Sequence, residues 1–296
     1  MKPVIFSLFN HPLQALIANH VGLQQGKLIY RTFPDGESYL RIVDELKGRE
    51  IVILDSLDRP NSKLLPLLFL VDTLRSMGVD KIGLCASYLP YMRQDKQFNP
   101  GESVTSEYFS KLISNYFNWM ITVDPHLHRH HALNEIYSIP STALHAAAII
   151  SQWIETEIKN PILIGPDRES EQWVSEVALG AKAPYLILEK IRNSDHHVEV
   201  SVPQIQPYLD HTPVLVDDII STAQTMIETV NHLKKIKMQP PVCIGIHAIF
   251  ADNAYDALLE AGAEQVVTCN TISHLSNRID LSGIIEIGIW QQLGGI

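Results

Sequence analysis

VLVDDIISTAQT, Val214 to Thr225, is the stretch that decides how this chain is read. Val214 to Val216 is a short apolar run rich in β-branched residues, the composition of a strand buried on both faces of a parallel sheet. Two adjacent carboxylates, Asp217 and Asp218, follow at once, and then hydroxyls at Ser221, Thr222 and Thr225. Such a strand delivers acids and a hydroxyl-rich turn to the carboxyl edge of an open α/β sheet, where these folds take their ligands. Paired carboxylates suit the vicinal hydroxyls of a sugar, and the hydroxyls and N–H groups that open the next helix suit a phosphate. A phosphorylated ribose satisfies both. Taken alone, the acids and one hydroxyl also fit a surface turn with a Ser/Thr helix cap.

Outward from this stretch the chain alternates between two hydrophobic periods. Ile51 to Leu54 reads as a buried strand, Ser62 to Met77 as an amphipathic helix closed by Gly78, and Lys81 to Ala86 as the next strand. Helices are predicted at Thr105 to Phe117 and Thr142 to Glu157, with a strand between them at Trp119 to Val123. Further on, strands near Ile162 to Ile164, Tyr185 to Leu188, Val242 to Ile246 and Gln265 to Thr268 alternate with helices near Glu169 to Ala178, Thr222 to Lys234 and Asn253 to Ala261. The pattern predicts an α/β fold of two tandem doubly wound domains, each a mainly parallel sheet flanked by helices. At 296 residues the chain is longer than one core usually fills, and the spacing puts the domains at 1–145 and 146–296.

A net charge of −10 argues against non-specific binding to nucleic acid or to an anionic membrane surface. Pro12 interrupts the first apolar stretch before a signal-peptide core is complete, and the run at Leu67 to Val71 stops at Asp72, so no membrane span is predicted. Cys85, Cys243 and Cys269 lie in or beside apolar runs without a CxxC pairing, which predicts reduced core thiols and a cytoplasmic protein.

Three further loops follow strand-like runs in the first half. FPDGESYLR, Phe33 to Arg41, holds an Asp-Gly turn between an aromatic and Glu37, and by itself it is an ordinary β-turn. YLPYMRQDKQ, Tyr88 to Gln97, sets Arg93, Gln94, Asp95 and Lys96 at the expected carboxyl edge. An arginine there forks onto phosphate oxygens while the neighbouring amide and acid meet an adenine edge or a ribose; the alternative is a solvated charged loop. VDPHLHRHH, Val123 to His131, places His126 two residues after Asp124, where an imidazole meets a divalent cation or a triphosphate. A zinc site built from His126, His128, His130 and His131 lacks the usual structural spacing, so the last three are predicted to be surface residues.

Taken together, FPDGE, PYMRQDKQ, Asp124-x-His126, Gly165-Pro166-Asp167, LEKIR at 188–192 and VDDIIST at 216–222 resemble the ribose-phosphate pyrophosphokinases, or PRPP synthetases, in order and spacing. The likeness is to the shorter, archaeal-like branch. It implies two domains of the phosphoribosyltransferase type, an N-terminal one for ATP and a C-terminal one for ribose 5-phosphate. It also implies transfer of the β,γ-diphosphoryl group of ATP to the anomeric hydroxyl of ribose 5-phosphate, giving AMP and PRPP for nucleotide biosynthesis. By position it assigns ATP to Phe33, Asp35, Glu37, Arg93 and Gln94, and a Mg²⁺ (or Mn²⁺) to His126 and Asp167. It assigns the sugar hydroxyls to Asp217 and Asp218, and the ester phosphate to Ser221, Thr222, Ala223, Gln224 and Thr225. Lys190 and Arg192 match the family's mobile catalytic loop, where cations close on the transferred group. A homodimer or higher homo-oligomer is implied as well. The chain departs from the family at Arg168, Glu169 and Ser170, and at Ala223 and Gln224, where glycines are common. A silent nucleotide-binding regulatory paralogue and a phosphoribosyltransferase are the alternatives; the second explains neither RQDK nor LEKIR.

Overall fold

The computed structural model describes residues 2–127, 129–165, 170–194, 197–201 and 205–295, except for the side chains of 172, 189–194 and 197–201. Two compact units divide the chain: Met1–His145 together with Ser282–Ile296, and Ala146–Leu281.

In the first unit the order is β1 (Val4–Phe6), α1 (Gln14–Val21), β2 (Gln24–Gln25), an antiparallel pair β3 (Leu28–Thr32) and β4 (Ser38–Ile42), β5 (Glu50–Ser56), α2 (Pro60–Ser76), β6 (Lys81–Tyr88), α3 (Thr105–Tyr116), β7 (Trp119–Val123) and β8 (Ser141–Leu144). Its main sheet runs β2-β1-β5-β6-β7-β8, all parallel. The second unit has α4 (Ala147–Glu157), β9 (Pro161–Gly165), α5 (Glu171–Gly180), β10 (Tyr185–Ile187), an antiparallel pair β11 (Glu189–Ser194) and β12 (His197–Ser201), β13 (Thr212–Ile220), α6 (Gln224–Lys235), β14 (Val242–Ala248), α7 (Ala254–Ala261), β15 (Gln265–Cys269) and β16 (Asn277–Ile279). Its main sheet runs β10-β9-β13-β14-β15-β16, again all parallel.

The two units are built to one plan. In each, the chain steps from the first strand outward to an edge, inserts a two-stranded hairpin, and returns on the far side of the first strand. The strand order therefore reverses between β1 and β5 in one unit and between β9 and β13 in the other. Open α/β sheets leave a crevice at that switch, outside the carboxyl ends of the two strands.

Buried parallel strands explain the near-continuous apolar runs. Ile51 to Ser56 of β5 are all buried, as are Ile82 to Tyr88 of β6. On α2, Leu67, Leu70, Val71 and Leu74 recur at helical spacing and are fully buried, each adding about 1.5–3 kcal/mol of apolar stabilisation. The three cysteines are free and buried in the cores. Burial pushes the Cys243 thiol up to about 12 and the Cys85 thiol up as well. No helix among the described residues is long and apolar enough to cross a membrane.

Two expectations need correction. The helix predicted from Thr142 begins only at Ala147, because Ser141 to Leu144 pair with Met120 to Val123 as a sheet edge. Tertiary pairing overrides the helical propensity of the alanine-rich run. The second domain does not extend to 296 either. It closes at Leu281, and α8 (Ser282–Gln292) belongs to the first unit. There Gly288 lets the helix lie close on the sheet, since a Cβ at that position would come within 3.0 Å of the Leu144 side chain. His20 Nδ1 meets Glu286 Oε1 at 2.8 Å, and Gln292 Nε2 donates to Thr142 Oγ1 at 3.3 Å.

Candidate active site

In the second unit Asp217 and Asp218 stand at the carboxyl end of β13, beside the switch. The strand continues past them, with Asp217 opposite Gly245 and Ile219 opposite His247, so both acids sit on backbone fixed by the sheet. Each carboxylate also binds the next main-chain amide: Asp218 N–H donates to Asp217 Oδ1 at 3.0 Å and Ile219 N–H to Asp218 Oδ1 at 2.7 Å. Both residues are half-buried. Ser221 and Thr222 form the turn, and Gln224 and Thr225 open α6, whose last turn carries Lys234 and Lys235. The amino end of that helix, whose first N–H groups have no partner within the helix itself, follows the same strand end as the acids.

Ala223 is the N-cap of α6 and is held at φ 59°, ψ 12°. This is the left-handed region that disfavours a Cβ by about 1–2 kcal/mol, and it explains why glycine suits the position. Ala223→Gly is accordingly expected to raise unfolding stability by up to about 1 kcal/mol, part of the relief being returned as glycine's extra entropy in the unfolded chain. Denaturant titration checks it; a loss of stability would show that the strain is not there.

In the first unit the Phe33 to Glu37 segment is the tip of the β3–β4 hairpin. Phe33 N–H donates to the Glu37 carbonyl at 2.7 Å, Gly36 turns the chain at φ 94°, and Glu37 N–H donates to Asp35 Oδ1 at 3.2 Å. Arg31 lies 4.5 Å over the rings of both Phe33 and Tyr39, fixing the aromatic side of the tip. The Asp-Gly turn was legible; the long hairpin around it was not.

Two other loops leave the carboxyl ends of β6 and β7. Met92 is buried in the core, which turns Arg93 outward while Gln94 is held through its carbonyl by Ser106 N–H at 3.3 Å. Arg129 Nε donates to Asp95 Oδ1 at 3.2 Å, joining the RQDK loop to the histidine loop. Asp124 has φ 31°, its Oδ1 accepts from His145 Nδ1 at 2.9 Å, and it lies two residues before the half-buried His126. Asp95, Arg129 and His145 were not singled out as partners in sequence. The first two are too far apart along the chain, and His145 stood inside a predicted helix.

His130 Nδ1 reaches Glu135 Oε2 at 3.3 Å and His131 N–H reaches Glu135 Oε1 at 3.2 Å, so Glu135 folds this loop upon itself. Among the described residues no three His, Cys, Asp or Glu side chains gather as a metal-binding group. Asp167 and His128 lie outside the described residues, as do the side chains of Lys190 and Arg192. The backbone of Lys190 and Arg192 is β-strand, opposite Val200 and Val198, where a loop was expected.

Comparison with known proteins agrees with this architecture. Residues 4–116 match the N-terminal domain of ribose phosphate pyrophosphokinase, and residues 132–280 match the phosphoribosyl transferase domain. A ribose-phosphate pyrophosphokinase of Sulfolobus acidocaldarius is 30% identical over 265 residues, covering 88% of this chain and 89% of its own. One of Methanosarcina acetivorans is 28% identical over 274 residues, with 92% and 94% covered. The crystal structure of phosphoribosylpyrophosphate synthetase from Mycobacterium smegmatis shares the fold, with a TM-score of 0.86 at 20% identity and full coverage of both chains. The chain belongs to the ribose-phosphate pyrophosphokinase family.

Proposed function

We propose that this protein is a ribose-phosphate diphosphokinase that transfers the β,γ-diphosphoryl group of ATP to the anomeric hydroxyl of ribose 5-phosphate. The anomeric oxygen bonds to Pβ, the bond from Pβ to the oxygen bridging it to Pα breaks, AMP leaves, and the hydroxyl proton passes to solvent. The observation that carries this reading is the acid pair on β13 leading into the hydroxyl-rich turn and the amino end of α6, within a chain of this family. Asp217 and Asp218 accept the sugar hydroxyls, while Ser221 to Thr225 and their N–H groups take the ester phosphate. This gives ribose 5-phosphate to the second unit. Phe33, Asp35, Glu37, Arg93 and Gln94, all in the first unit, take ATP, with the aromatic for the base and the guanidinium for a phosphate.

Phosphoryl transfer asks a protein for positioning and charge neutralisation more than for covalent chemistry. Lys190 and Arg192 supply positive charge toward the transferred group. A single imidazole and carboxylates form a hard, exchangeable donor set, so His126 and Asp167 would hold Mg²⁺, or Mn²⁺, which when bound neutralises phosphate charge. The buried free thiols suit a cytoplasmic enzyme, and exposed Ile287 and Trp290 on α8 suit a homo-oligomer.

With Mg-ATP and ribose 5-phosphate, the purified protein is expected to form AMP and PRPP in equal amounts. Asp218→Ala should weaken ribose 5-phosphate binding far more than ATP binding, and Arg93→Ala the reverse. AMP without PRPP would overturn the activity; equal losses of both ligands in each variant would overturn the division of roles.

A further inference from the structure

The switch of the first unit does not look like that of the second. By element order β1 matches β9 and β5 matches β13, so the end of β5 stands where the second unit has its acid pair. In the first unit the end of β5 carries one acid, Asp55, whose residue is 0% exposed. The Ser7 hydroxyl donates to Asp55 Oδ1 at 2.7 Å, Leu8 N–H to Oδ2 at 2.8 Å and Phe9 N–H to Oδ1 at 3.0 Å. The Ser7 oxygen also accepts from His11 N–H at 2.6 Å, which ties the hydroxyl into the loop after β1. His11 is in turn tied to Ser87 at the end of β6, Nε2 to Oγ at 3.0 Å.

Three donors converging on one buried point, two of them successive main-chain amides at a sheet switch, are the construction of an oxyanion cradle. We propose that the first unit's switch is such a cradle filled from within: the Asp55 carboxylate occupies it in place of a ligand, and the cradle accepts a small external oxyanion once that carboxylate is removed. Self-filling leaves the first unit no room at its own switch for a sugar phosphate, so the chain keeps one such site from two similar units. The carboxyl behaves as a desolvated anion would. Burial raises it to about 6, against the pull of Ser7, the Leu8 and Phe9 amides and the Lys63 charge.

The shape of the donors makes the inference testable. A carboxamide fills the same space but turns an N–H₂ toward amide donors, whereas an alanine leaves a hole about the size of formate. Asp55→Ala is expected to lower the midpoint of thermal unfolding by roughly 5 °C or more in chloride. Formate at equal ionic strength should restore a large part of that loss while leaving the wild type unmoved. Asp55→Asn is expected to be destabilised and to gain nothing from formate, and adding Ser7→Ala to Asp55→Ala should shrink the recovery. If Asp55→Ala does not fold in chloride, its refolding yield in formate against chloride replaces the midpoint. The same formate response in Asp55→Ala and wild type, or an Asp55→Asn variant as stable as wild type, would overturn the proposal.

Discussion

Lys190→Ala or Arg192→Ala is expected to lower turnover by about 10³-fold while leaving the fold and the affinity for ribose 5-phosphate nearly unchanged. A cation that meets the diphosphoryl group only as charge shifts between ATP and the sugar oxygen stabilises the transition state, not the bound substrates, so its removal appears in kcat. The backbone supports clean substitutions. Both residues lie on β11, opposite Val198 and Val200 of β12, and the ladder hydrogen bonds of that hairpin do not depend on side-chain identity. Circular dichroism and ribose 5-phosphate titration establish that each variant is folded and competent to bind; single-turnover kinetics then reads the chemical step. Either variant retaining more than about a tenth of wild-type turnover would remove that residue from the reaction.

Chelation with EDTA should bring activity to background, and millimolar Mg²⁺ alone should restore it. His126→Ala should remove most activity at ordinary Mg²⁺ concentration, with partial recovery as Mg²⁺ is raised, because one of few protein ligands is lost. Replacing His128, His130 and His131 together by Asn should leave most activity. The His130 imidazole meets Glu135 within its own loop at 3.3 Å, and His131 reaches Glu135 only through its main-chain N–H at 3.2 Å, a bond that asparagine keeps. Metal analysis of the purified protein gives an independent readout. Stoichiometric zinc that disappears in the triple variant together with the fold would make the histidine cluster structural and refute the assignment.

How much of this was legible beforehand depends on how local each cause is. The strand through Val214 to Val216, the helices on α2 and α3, and the parallel α/β plan follow from hydrophobic period and composition, which act over a few residues. So does the placing of Asp217, Asp218 and the Ser221 to Thr225 turn at a strand's carboxyl end, since strand polarity alone fixes which end a following loop occupies. The order of motifs along the chain carried the family and the expected chemistry.

Tertiary structure decided what depends on partners distant in sequence. Ser141 to Leu144 became a strand because β7 offered an open edge, and the alanines after it kept their helix. The closing helix went to the first unit because Gly288 and its apolar neighbours fit the β7–β8 surface around Leu144, 144 residues earlier in the chain. Asp55 reads in sequence as one acid in the run VILDSLD; only the fold brings Ser7, Leu8 and Phe9 to it, across separations of 46 to 48 residues. The backbone strain at Ala223 likewise belongs to the turn that joins β13 to α6. Sequence alone thus determined the element types, their polarity and the chemical character of the loops, because short-range sterics and hydrophobic period set these. The partners of buried polar groups, the edges of the sheets and the unit to which each helix belongs were settled only by packing, where a group's stability depends on what the rest of the chain brings beside it.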